Sequence, residues 1–318
     1  MLRRKTWIKL SFALISILLI IDLIAGNFFY DLAIKREKKE FLQGNEDLTV
    51  STAAMDVFLK GDWRSWVANQ DFEQWQLESY DGLHLNGYFL EAKKPTNKTV
   101  ILAHGYLGDA MDMGLYGQYY YEELGYNIFT ADLRGHGGSE GDYIGFGWHD
   151  RLDYLDWTDK VINRVGKDAE IVVHGLSMGA STVLMMSGER LPENIKAIIS
   201  DSAYTSVYDL FKYQMNRMYH LPAFPILPTT SLITSIRADY SLKEASALEQ
   251  VKKANVPILY FHGKNDDFVP TKMASKLYQN TEKAEIMLFA EASHGEAYAI
   301  YREQYQTKLT EFLTKYMR

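Results

Sequence analysis

Six short apolar runs punctuate residues 99–289, and they constrain this chain more than any other feature. Residues 99–103 stop at His104 and Gly105, 127–130 just before Asp132, and 170–173 at His174 and Gly175. Residues 195–200 stop at Asp201 and 258–261 at His262 and Gly263; 285–289 is the last run. Between them, residues 117–124, 149–164, 178–187, 272–279 and 297–315 read as helices. Strands that are apolar without alternation are buried on both faces. Alternating them with helices builds a mostly parallel central sheet with helices on both faces, an α/β fold. Such a sheet binds ligands beyond the carboxyl ends of its strands, where every one of these Gly, His, Asp and Ser clusters falls. Residues 83–90 alternate instead and follow a turn at Asp81 and Gly82, the pattern of a hairpin.

One segment interrupts the alternation. Residues 208–236 hold Phe211, Tyr213, Met215, Met218, Tyr219 and Phe224, and three of the chain's seven prolines. The segment is too long for a plain connection and too aromatic to be left in water. It predicts a small cap at about residues 205–250, with Phe211 and Met215 facing substrate. The plainer reading is a peripheral helical hairpin that touches no substrate.

The amino terminus has a different character. Residues 10–21 carry only two serines among apolar residues. With their flanks they approach the roughly 20 residues that cross a bilayer. Lys9 near one end can snorkel. Asp22 lies near the other end, where a charge costs less than the about 2.5–3.5 kcal/mol of the bilayer centre. Phe28, Phe29 and Tyr30 read as an interfacial aromatic belt. Arg3, Arg4 and Lys5 hold the amino terminus inside; Lys35, Arg36, Lys38 and Lys39 blunt that asymmetry, accompanied by Asp31, Glu37 and Glu40. The expected organisation is an anchor or uncleaved signal over residues 1–34, a stalk and short helices over 35–71, and a catalytic domain over 72–318. The expectation is a single-pass protein of the cell membrane with an extracytoplasmic catalytic domain. The competing readings are a signal peptide cleaved after Gly26 and a buried core helix. No cysteine follows Gly26, so lipoprotein processing is excluded.

Gly175-Leu176-Ser177-Met178-Gly179 stands directly after one predicted strand and directly before a predicted helix. A serine on so tight a turn has strained backbone, and side chains two residues to either side would collide. Its hydroxyl is a weak nucleophile until a base takes the proton. Among the eight histidines, His294 stands out because it follows the last run and opens the terminal helix. The base needs a carboxylate to orient it. Asp266, after the preceding run, fits, with Asp267 and Asp201 as alternatives. A tetrahedral intermediate needs two donors for its oxyanion. Met178 N–H is one, and Tyr106 N–H, in His104-Gly105-Tyr106-Leu107-Gly108, is the other. The Tyr106 side chain is also a candidate for the acyl pocket, and His104 reads as a brace for its loop. Asp132-Leu133-Arg134-Gly135-His136-Gly137 lacks the G-K-[ST] of a phosphate loop and reads as a turn with internal Asp–Arg pairing. No metal is expected, because H-E-x-x-H and EF-hand spacings are missing.

Together these residues resemble the α/β-hydrolase superfamily over roughly residues 72–318. The matching pieces are H-G-Y-L-G, D-x-R-G-H-G, G-L-S-M-G, H-G-x-x-D with V-P following, and S-H-G, in that order. With the amino-terminal anchor, the chain is similar to Gram-positive membrane-anchored serine hydrolases of the acylaminoacyl-peptidase-like or serine-aminopeptidase-like group. The resemblance implies Ser177, Asp266 and His294 as the triad, and no cofactor. It does not imply a substrate, because the fold hosts esterases, lipases, thioesterases and peptidases. No propeller domain is visible, which lowers the expectation of oligopeptidase activity. The expected activity is cleavage of carboxylic esters in a small-molecule ester or acyl substrate. Amide or peptide cleavage is the alternative, and a non-catalytic binding protein on the same fold a further one. The 41 acidic against 34 basic side chains argue against nucleic acid as a partner. Without cysteine there is no thiol nucleophile and no Cys-ligated metal. Oligomeric state is left open by these features.

Overall fold

Eight strands form one sheet: β1 (Glu73–Glu78), β2 (His84–Leu90), β3 (Lys98–Ala103), β4 (Asn127–Ala131), β5 (Glu170–Leu176), β6 (Ile195–Asp201), β7 (Ile258–Gly263) and β8 (Ala284–Phe289). Their spatial order is β1-β2-β4-β3-β5-β6-β7-β8. Strands β3 to β8 are parallel; β1 and β2 form the expected hairpin, and β2 lies antiparallel to β4. This is the α/β-hydrolase fold. The computed structural model describes residues 2–37, 39 and 51–317, so the expected stalk at 38 and 40–50 lies outside the described residues.

Successive side chains of the sheet feed opposite layers, as the two-residue period of a strand requires. Along β3, Ile101 and Ala103 join one core while Val100 and Leu102 join the other. The first core is covered by α5 (Asp150–Val165), α6 (Met178–Met186), α7 (Val207–Tyr219), α8 (Ile226–Ala238), α9 (Ala247–Val251) and α10 (Thr271–Gln279). The second is covered by α3 (Asp62–Ala68), α4 (Gly114–Glu122), α11 (Ala297–Ile300) and α12 (Arg302–Tyr316). Helices α7 and α8 occupy the segment expected as a cap. Ser206 caps α7 by accepting the Asp209 N–H, a contact worth about 1 kcal/mol.

The D-x-R-G-H-G turn braces the fold, but by other partners than the Asp–Arg pair expected. The buried Arg134 guanidinium grips Asp153 of α5 with two hydrogen bonds (2.8 and 2.7 Å) and Asp81 of the β1–β2 turn at 2.8 Å. Asp132 instead accepts the backbone N–H groups of Ala110 (2.8 Å) and Gly138 (2.9 Å). Two residues apart, the pair faces different neighbours. Each charge finds fuller partnering there than it would in the other.

Helix α1 (Leu2–Ala33) contains the apolar stretch Thr6–Ala33, long and apolar enough to cross a membrane, as an anchor or a signal sequence would be. Residues 6–21 are exposed. From Asp22 onward the helix packs on α8, where Asp22 accepts from Thr229 Oγ1 at 2.5 Å. The expected aromatic belt is therefore only partly exposed. Phe28 is exposed, but Phe29 sits edge-on to Tyr219 (5.3 Å between centroids) and Tyr30 lies 4.0 Å beneath the Arg237 guanidinium. Rings that suit lipid suit a protein face equally, and α7 and α8 supply that face. Beyond α1 the chain is stitched to the core: Ile144 N–H donates to Ile34 O (2.7 Å) and Arg36 N–H to Asp142 O (2.9 Å).

Candidate active site

The turn from β5 into α6 places Ser177 in a left-handed conformation, φ +54° and ψ −110°, although it is not glycine. The flanking glycines make that turn possible. A Cβ on Gly175 would lie 2.2 Å from Gly179 O, and one on Gly179 would lie 2.0 Å from Ala103 O. Ser177 N–H donates to Asp201 O at 2.7 Å, which fixes the turn against the end of β6. The Ser177 hydroxyl then points at His294, with Oγ to Nε2 at 2.7 Å. His294 leads Gly295, which has φ +70°, on the loop between β8 and α11. The other ring nitrogen, Nδ1, donates to Asp266 Oδ2 at 2.8 Å. Three expected residues from three loops thus form one hydrogen-bonded chain. Of the alternative carboxylates, Asp267 is exposed on the next position, and Asp201 is buried with Tyr116 and Ser202 as its hydrogen-bond donors.

The electrostatics favour a charged Asp266 and a basic His294. Burial alone would raise the Asp266 carboxyl, but His294, His262 and the Phe268 and Val269 N–H groups (3.0 and 2.7 Å) hold it well below the usual carboxylate range. Burial by itself would lower His294, and the Asp266 charge and hydrogen bond outweigh it, so the imidazole is raised. His104 behaves in the opposite way. Fully buried, it is pushed down to about 4 by desolvation and stays neutral. Its Nδ1 contacts Gly105 O (2.8 Å) and its Nε2 accepts the Leu133 N–H (3.0 Å), so it ties the Tyr106 loop to the D-x-R-G-H-G turn. That loop lies beside the serine: a Cβ on Gly105 would be 3.6 Å from Ser177 Cβ.

A cavity of roughly 90 Å³ opens at Ser177. Tyr106, Phe211 and Met215 all line it, with Met178, Phe146 and Met218. Its described lining carries no charged side chain. Among the described residues, no group of three or more His, Cys, Asp or Glu is placed to hold a metal ion.

Residues 114–318, well over half of the chain, match the model of the prolyl oligopeptidase family. The chain belongs to the prolyl oligopeptidase family. Relatives in sequence include YqkD of Bacillus subtilis, 28% identical over 77% of this chain and 81% of that one. A zebrafish lysophosphatidylserine lipase, ABHD12, is 30% identical over 49% of this chain and 39% of that one. Among solved structures, the Pyrococcus furiosus esterase Pf2001 superimposes with a TM-score of 0.64 at 21% identity, covering 80% of this chain and 94% of that one. The Pyrococcus horikoshii acylaminoacyl peptidase gives 0.61 at 18% identity, covering 78% and 42%. As a member of the prolyl oligopeptidase family, the chain is a serine hydrolase.

Two neighbours of the site escaped the sequence reading. His262 Nε2 lies 3.1 Å from Asp266 Oδ2, sharing the oxygen that His294 uses. The buried Glu296 accepts Ser293 N–H at 3.0 Å and Ser51 N–H at 2.5 Å, so the His294 loop is fastened to the segment ahead of α2 (Thr52–Lys60). The four-residue spacing from His262 to Asp266 was a usable signal. The Ser51–Glu296 contact spans the chain and leaves no local trace.

Proposed function

We propose that this protein cleaves carboxylic esters through an acyl-enzyme intermediate, with Ser177, His294 and Asp266 as its triad. The observation that carries the reading is the unbroken chain from Ser177 Oγ through His294 to Asp266 at 2.7 and 2.8 Å, opening into an apolar cavity. Ser177 Oγ bonds to the ester carbonyl carbon as its proton passes to His294 Nε2. The Tyr106 and Met178 N–H groups hold the oxyanion, each worth about 2.7–4 kcal/mol in the transition state by the usual cost of losing such a donor. Collapse breaks the bond to the leaving alcohol, which takes the proton from His294. Water, deprotonated by the same nitrogen, then attacks the acyl carbon and frees Ser177. Asp266 keeps Nδ1 protonated and steadies the imidazolium. Tyr106, Phe211 and Met215 contact the acyl group, with soft methionine contacts adapting to its shape.

Residues 72–318 form the catalytic domain in this reading, with the cap at about residues 205–250. In the same reading residues 1–34 anchor it and the domain faces outside the cell, an orientation that the basic start of the chain supports. The lipase among the relatives and the esterase among the structural neighbours support ester substrates. Amide cleavage is the second reading, favoured by the family match and by the acylaminoacyl peptidase neighbour.

The test is turnover of a short-chain aryl ester by the full chain in detergent micelles, beside Ser177→Ala. A loss of about 10³-fold or more is expected. Equal activity in both would remove Ser177 from the mechanism. A matched anilide turned over faster than the ester would move the assignment to amide cleavage.

A further inference from the structure

The cavity beside Ser177 is not closed by the hydrolase fold alone. Phe29, Leu32 and Ala33, in the last turns of α1, stand in its wall together with Met215 and Met218 of α7. Tyr106 holds them there, its hydroxyl donating to Ala33 O at 2.8 Å. The loop beside the nucleophile and the end of the apolar helix are thus directly joined.

The rest of α1 is aligned by α8. Asp22 meets Thr229, Gly26 backs onto Thr229 and Thr230, and Arg237 reaches Asn27 and Asp31 at 3.0 and 3.1 Å. The contacts advance together along both sequences, so the two helices run parallel. The start of α8 therefore faces the same way as the exposed residues 6–21. At about 1.5 Å per residue, the twenty or so residues from Thr6 match a hydrocarbon core of about 30 Å. Alongside the end of α1, from Asp22 onward, Leu232 and Ile236 are 58 and 76% exposed, and Phe224, just ahead of α8, is 77% exposed. Pro228, Leu232 and Ile236 form one exposed stripe at four-residue spacing on α8, away from both the protein core and α1. Apolar surface of this kind is favourable against hydrocarbon and unfavourable against water.

We infer that the end of the anchor helix is a wall of the substrate site, and that the site takes a membrane-resident ester whose hydrocarbon chain enters from the leaflet alongside α1 and α8. The inference rests on the ester-hydrolase reading. A chain that follows α1 passes from lipid into an uncharged cavity without crossing water, and its ester meets Ser177 at the inner end. The leaflet is the occupant of the exposed stripe, because the stripe continues the surface of the helix that spans it.

The test uses the full chain in phosphatidylcholine nanodiscs, with a water-soluble aryl butyrate and the aryl laurate of the same alcohol dissolved in the discs. Wild type is expected to favour laurate by about tenfold or more, and Leu232→Asp with Ile236→Asp to lower laurate turnover about tenfold while butyrate stays within about twofold. Leu32→Trp, which fills the wall, is expected to lower the laurate-to-butyrate ratio by about tenfold. No preference for laurate, or laurate turnover indifferent to the two aspartates, overturns the inference while butyrate hydrolysis, lost in Ser177→Ala, leaves the ester reading standing. Failure to hydrolyse butyrate sinks the ester reading itself, and the inference with it.

Discussion

At the residue scale, His294 sets the pH behaviour. A general base acts in its neutral form, and Asp266 raises this imidazole despite burial. The acid limb of kcat/KM is therefore expected above the ordinary imidazole value of about 6.5, with rate rising as pH climbs through it. Asp266→Asn removes the carboxylate that raises the ring. It should cut kcat by about 10⁴-fold through the wrong tautomer, and the residual activity should show its acid limb at lower pH. A limb that stays in place would mean that another group, such as Asp201, governs His294. His104 is held neutral across this range by burial, so it contributes no second limb.

At the element scale, magnitudes separate the contacts that hold segments together. Arg134 is buried and shared by Asp153 and Asp81. Arg134→Met leaves one buried carboxylate without its cation and should cost about 3–5 kcal/mol, read as a lower urea midpoint at unchanged slope. The α1–α8 contact is different. Its ion pair, Arg237 with Asp31, is more than a third exposed on both sides, and such pairs are worth about 0–1 kcal/mol. At Gly26, by contrast, a Cβ would come within 2.7 Å of Thr229 Cγ2 and 3.1 Å of Thr230 N. Gly26→Leu is therefore expected to destabilise by about 1–3 kcal/mol and Asp31→Asn by much less, measured as melting temperatures in micelles. The reverse order would show that charge, not shape, seats the helix.

At the scale of the whole molecule, what was legible in the sequence was local. Apolar runs gave the strands, and Ser177, Asp266 and His294 each stood at the end of one. Their meeting followed from strand order, because parallel strands bring their carboxyl ends to one edge. What was not legible was pairing at a distance: Arg134 with Asp153, Glu296 with the Ser51 amide, Asp22 with Thr229. Such partners share no periodicity, and the Phe28–Phe29–Tyr30 run has the same composition whether lipid or protein covers it. The backbone of Ser177 adds one more consequence. A serine at φ +54° holds a conformation that L-residues avoid at a cost on the order of 1–3 kcal/mol, whereas glycine adopts it freely. The nucleophile is thus a fault the fold tolerates in exchange for chemistry. Ser177→Gly, with no hydroxyl left to react, is expected to unfold at a higher temperature than the working enzyme.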